Sequence, residues 1–173
     1  VMVFTVIGII LAAVFVAMVI SILLSIFIWN PLEVGCQKFF INCKYGNAEL
    51  GDIAYGFKNG YAHIGMIMFL RGLFTGLWML LFIIPGIVKS YEYMMIPYLL
   101  AEHPEMTRQE AFAESKQMMD GNKWDAFVLD LSFIGWTLLG VCTFGILLVF
   151  YVEPYIYLTR AELYHALKNI ISR

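Results

Sequence analysis

From Val1 to Trp29 the chain carries no charged side chain, and only Thr5, Ser21 and Ser25 interrupt the hydrocarbon. A helix rises about 1.5 Å per residue, so roughly 20 such residues cross the apolar core of a bilayer. This constrains the fold more than any other feature, because part of the molecule must use lipid as its solvent. The run is longer than the apolar stretch of a secretory signal, lacks a basic leader and offers no small-x-small cleavage site before Asn30. It predicts a spanning helix over 2–29.

Other apolar runs approach the same length: Ile64 to Ile84, Ile87 to Ala101, Trp124 to Leu139 and Gly145 to Leu158. They predict further spans at 62–84, 87–103, 123–140 and 144–166. The expected fold is therefore an all-α polytopic transmembrane bundle, a single membrane domain over 1–173 with five spans. With 61% hydrophobic and 14% charged residues the chain lies outside the soluble globular class. A net charge of −2 gives no basic surface of the kind nucleic acid requires. The bilayer is the expected partner, and no nucleic acid is. Cys36, Cys43 and Cys142 are odd in number and lack Cys-x-x-Cys spacing, while His63, His103 and His165 are scattered. Neither a disulfide framework nor a metal centre is expected, and no cofactor.

Two segments between the spans read as amphipathic helices on the cytoplasmic side, at 48–58 and 107–120. In the first, Leu50, Ile53, Ala54 and Phe57 share one face. In the second, Thr107 and Glu110 form a capping box, Gly121 stands at the C-cap, and Ala111, Phe112, Ser115, Met118 and Met119 make the apolar face. Within that face Phe112, Ser115 and Met119 are the candidate surface for a partner. Lys38, Lys44 and Lys58 lie in one long connection and Arg108, Lys116 and Lys123 in the other, whereas the turns at Pro85-Gly86 and Thr143 to Gly145 carry no basic residue. Basic loops stay inside, which places the carboxyl terminus in the cytoplasm. Lys89, three positions past the outer turn, is expected to snorkel outward.

A weak internal repeat runs through the chain. Phe57-Lys58-Asn59-Gly60-Tyr61 leads into a hairpin whose returning span holds Pro97, and Gly121-Asn122-Lys123-Trp124 into one whose returning span holds Pro154. The first span, followed by Pro31, resembles a returning half. The repeat predicts one more spanning helix upstream in the full protein.

Ionisable groups at membrane depth are the candidates for chemistry, since each costs a few kcal/mol to hold there. Arg71, Glu92, Asp130 and Glu153 form the candidate intramembrane polar network, with Asp130 or Glu153 the expected partner of Arg71. Such a network serves either as a structural tie between helices or as a path for a solute or proton. Glu33 beside Pro31 and Glu153 beside Pro154 set a carboxylate next to a freed backbone carbonyl. Gly65, Gly72, Gly76, Gly135, Gly140 and Gly145 offer close helix contacts. No P-loop, zincin or nucleophile-elbow motif is present, so an enzyme is not expected.

Ile83-Ile84-Pro85-Gly86-Ile87-Val88-Lys89, Pro97-Tyr98, Leu100 to Pro104, Gly121 to Trp124 and above all Phe127 to Trp136 resemble the bacterial integral-membrane family called domain of unknown function 975. Asn30 to Gly35 and Gly56 to Lys58 fit the same pattern. The resemblance implies a multi-span protein of the bacterial plasma membrane with an additional amino-terminal helix, and implies no catalytic residue. Two functions follow as expectations. The first is a non-catalytic membrane component or accessory subunit that binds a membrane-protein partner or a second copy of itself. The alternative is a small-solute or ion transporter with a midplane polar site.

Overall fold

The structure, a computed structural model, describes residues 2–143 and 145–171, with side chains from residue 5 onward; Phe144, in the expected second turn, lies outside the described residues. Every regular element among the described residues is helical. α1 (Met2–Leu24) runs without interruption through a widened π turn at Ser25–Trp29 into α2 (Asn30–Lys44). Pro31 is the reason for the widening. It has no N–H to donate, and the ladder slips by one residue just before it, with the Asn30 N–H bonding back to the Ser25 carbonyl.

A 3₁₀ turn (Leu50–Ala54) and the one-turn α3 (Tyr55–Lys58) lead through left-handed Gly60, φ 68°, into α4 (Tyr61–Leu81). Phe82 alone joins α4 to α5 (Ile83–Glu92), which breaks at Tyr93–Met95 before α6 (Ile96–Glu102). α7 (Arg108–Met119) follows, then left-handed Gly121, φ 78°, and α8 (Lys123–Cys142). A second π turn at Leu148–Val152 precedes α9 (Glu153–Ile171).

The repeat is visible in this order. A positive-φ glycine opens each outgoing helix, α4 and α8. Each returning stretch is broken just before its proline: at Ser25–Trp29 before Pro31, at Tyr93–Met95 before Pro97, and at Leu148–Val152 before Pro154. The three helices that follow the breaks form the centre. α2 packs against both α6 and α9, and the rings of Tyr98 and Tyr164 stack at 5.5 Å between centroids. Val34, Ile41, Leu99, Leu100 and Tyr164 are all buried there, with Ile64, Ile67 and Met68 from α4. Backbones meet closely at two points: Gly35 lies against the Ile53 carbonyl and Gly56 against the Pro31 carbonyl, where a side chain would collide.

Among the described residues three helices, not five, are long and apolar enough to cross a membrane: Thr5–Lys44, Tyr61–Leu81 and Lys123–Cys142. The expected span at 87–103 is two short helices, because Pro97 ends the ladder and α6 is sunk in protein rather than presented as a continuous apolar rod. The expected span at 144–166 carries Glu153, Arg160 and Glu162 along α9, and its apolar part ends with the π turn. The segment at 48–58 is likewise not one amphipathic helix: Leu50 is 81% exposed and Phe57 is exposed too. It meets α2 through the Asp52 carboxylate, which accepts from the Asn42 amide, through the Tyr55 ring under Lys38, and through backbone at Ile53. The segment at 107–120 does form a helix with its capping box, the Glu110 N–H donating to the Thr107 hydroxyl and the Thr107 N–H to the Glu110 carboxylate.

Candidate functional site

The charged side chains near the centre sort into separate ion pairs, each tying one helix to another. Glu33, two residues past Pro31 on α2, accepts from Arg71 of α4 at 2.9 Å. Asp130 of α8 accepts from Arg160 of α9 at 2.9 Å and, through its other oxygen, from the Tyr91 hydroxyl at 3.0 Å. Arg71 therefore does not reach Asp130 or Glu153, as the sequence suggests it should. The approach of α4 to the α1–α2 bend, where Gly65 meets the Ile26 carbonyl and the Asn30 amide donates to the Gly65 carbonyl, brings Glu33 to Arg71 first.

Glu92 closes α5 and is buried, at 3% exposure. The Lys89 ammonium lies 3.0 Å from both its oxygens, Lys123 at 3.4 Å and Lys116 at 3.9 Å. The Ser115 hydroxyl donates to the Glu92 backbone carbonyl at 2.8 Å, satisfying one of the acceptors a helix end leaves open. Lys89 thus turns toward this carboxylate instead of snorkelling outward, and its ammonium also sits 5.8 Å from the Trp78 ring and 5.7 Å from that of Tyr93. The pair stands three residues apart on one helix, a spacing that puts both on one face.

Glu153 is exposed, and its carboxylate makes no hydrogen bond or ion pair among the described residues; its charge acts on Tyr157. The four candidates are therefore not one network. Two of the pairs nevertheless bear on a common point, because the charges of Arg160, Glu33 and Arg71 all act on Tyr98. Burial pushes that phenol well above its usual range, against the pull of Arg160. The Tyr98 hydroxyl and Arg160 Nε are buried with no hydrogen-bond partner among the described residues.

At the carboxyl end of the centre, Glu102 accepts from the Tyr164 hydroxyl at 2.7 Å and pairs with Lys168. Burial works to raise the Glu102 carboxyl, but those two donors outweigh it and hold it below the ordinary carboxylate value. Burial lowers the pKa of His165 next door, with Lys44 adding to the effect.

The face of Phe112, Ser115 and Met119 is not available to a partner. Ser115 and Met119 are fully buried, and Phe112 packs edge-on against Phe74 and Tyr93. α7 spends this face on its own chain, because α4 and the α5–α6 break supply the aromatic surface it fits. The network expected from the sequence includes neither Glu33 nor Arg160 and gives Glu92 no lysine partner; the Lys89–Glu92 spacing is the one local signal. Among the described residues no group of three His, Cys, Asp or Glu side chains lies close enough to hold a metal.

Among the described residues these features define an all-helical architecture, with three membrane-length helices and a packed centre of proline-broken returns. The chain belongs to the family of proteins of unknown function DUF975, whose family model matches residues 1–170. No curated protein and no solved structure matches it.

Proposed function

We propose that this chain is a non-catalytic, multi-pass protein of the bacterial plasma membrane, its carboxyl end cytoplasmic, acting as an accessory subunit whose bare apolar helices are covered by lipid and by the helices of a protein partner. The observation that carries this reading is α1. None of the residues in its most apolar window is buried, and beyond the π turn it gains little from the rest of the chain. A helix so apolar requires cover on every side. The ion pairs support the same reading, since Arg71 and Asp130 are each spent on holding a neighbouring helix.

The test is purification of the full-length protein in a gentle detergent, followed by reconstitution with whatever co-purifies in fixed ratio. A stoichiometric membrane protein, lost when α1 is made polar and retained in Asp130→Asn, supports the subunit. A lone protein that moves a solute across proteoliposomes overturns it. Transport through the polar centre is the second reading, favoured by the exposed Glu153 carboxylate and the unpartnered Tyr98 hydroxyl. It requires flux that falls in Asp130→Asn and Glu153→Gln.

A further inference from the structure

Two independent features meet beside α5. The first is an excess of positive charge. Lys89, Lys116 and Lys123 surround the single carboxylate of Glu92, which leaves two ammonium charges uncompensated. Lys89 is engaged at 3.0 Å, but Lys123 at 3.4 Å and Lys116 at 3.9 Å are loosely held, and the Lys116 side chain is 65% exposed. An ammonium carries three donors, so both have donors to spare. Glu114, Asp120 and Asp125, the nearest acids along the chain, pair with none of these lysines among the described residues.

The second feature is an apolar groove of about 410 Å³ between α5 and α8. Ile84, Ile87, Val88, Tyr91 and Phe127 line it, and Lys123 and Trp124 belong to the same wall. Lys123 is thus shared by the groove and the charge cluster. Trp124 is exposed and leans on Phe127 at 5.4 Å, the amphipathic ring that suits headgroup depth.

We infer that this groove binds an anionic phospholipid, its phosphate taken by Lys116 and Lys123 and an acyl chain by the α5–α8 wall. Charge decides the occupant. A zwitterionic headgroup would bring its own ammonium against the lysines, whereas a phosphatidylglycerol-type headgroup brings only the negative charge they lack. Basic pockets between apolar helices are where such headgroups bind. The inference rests on the membrane reading above, and the two fail separately: a chain that does not enter phosphatidylcholine vesicles sinks both, and one that enters without discriminating between lipids sinks only this site.

The experiment is native mass spectrometry of the full chain released from detergent with equimolar dioleoylphosphatidylglycerol and dioleoylphosphatidylcholine. The wild type is expected to retain the anionic lipid about tenfold or more over the neutral one. Lys116→Gln, which alters an exposed side chain, lowers that preference about fivefold. Val88→Trp, which fills the groove, lowers retention of both lipids. Equal retention by the wild type overturns the site, as does an unchanged preference in Lys116→Gln/Lys123→Gln with helicity intact. Displacement of the lipid by inorganic phosphate alone also overturns it, because the groove would then contribute nothing.

Discussion

α1 and α6 are both apolar helices, and they meet opposite fates. The most apolar window of α1 has a mean hydropathy of 3.1 and no buried residue. α6 is seven residues long, and Ile96 through Ala101 are all buried. The spans at Tyr61–Leu81 and Lys123–Cys142 lie between, with mean hydropathy 1.8 and 1.5 and 22% and 17% of their windows buried. In water the order would run the other way, since burial would follow hydropathy. Here the greasiest element is the barest. That inversion is what a lipid solvent would produce, and the protein's own core is a modest centre where three proline-broken returns meet.

The sharpest test of that contrast truncates a leucine in each region. Leu99→Ala in α6 should cost about 2–5 kcal/mol, as cavity-forming changes in packed cores do. Leu11→Ala on α1 should stay within about 0.5 kcal/mol. Equal shifts in detergent melting curves would break the comparison. Next in size, Val14→Arg on α1 should cost about 2.5–3.5 kcal/mol of membrane insertion. It should leave the melting of already inserted protein nearly unchanged, so the two readouts separate lipid contact from packing.

Glycines give a third, smaller pair. A side chain at Gly56 would meet the Pro31 backbone, whereas Gly72 has open space around it. Gly56→Ala should lose about 1–3 kcal/mol by overpacking, and Gly72→Ala should be neutral or gain up to about 1 kcal/mol from helix propensity. Asp130→Asn follows, at about 1–2 kcal/mol, because the Asp130–Arg160 pair is partly exposed and its worth is correspondingly reduced. Glu33→Gln should match it.

The smallest effect is a pH dependence confined to the centre. His165 has a lowered folded pKa, so the unfolded chain takes up a proton first and stability falls as pH drops below the ordinary 6.5. The Glu102 pKa is also lowered, so its contribution is present above the ordinary 4.5 and is lost as pH falls through the lower folded value. Melting temperature followed from pH 7 to 3 should show both losses, the first absent in His165→Phe and the second in Glu102→Gln.

Much of this architecture was legible in the sequence. Uncharged length gave the helix through Trp29, the Thr107–Glu110 spacing gave α7, and the matched glycine and proline positions gave the repeat. Hydropathy failed at 87–103 because burial in protein and burial in lipid select the same side chains, so α6 reads like a span. The polar site failed for a different reason. Depth along a helix can be counted from sequence, but the angle at which α4 meets α2 cannot, and that angle decides that Arg71 finds Glu33. The face of Phe112, Ser115 and Met119 was recognised as apolar, but periodicity is silent about whether an apolar face meets its own chain or another.

The position of α6 has a consequence for how the chain is made. Two of the helices it meets, α2 and α9, lie far apart in the sequence, and the Tyr98–Tyr164 stack and the Glu102–Tyr164 bond join residues more than 60 apart. On the membrane reading proposed above, α1 can leave the insertion machinery alone, since none of its most apolar window is covered by the rest of the chain. α6 can settle against α2, α4 and α7, but its Tyr98 ring and the Glu102 carboxylate have to wait until α9 emerges from the ribosome. Contacts of such long sequence separation form late. A ribosome stalled before Tyr164 would therefore release a chain whose Tyr98 ring and Glu102 carboxylate still lack their partners, a form more exposed to quality-control proteases than the finished one.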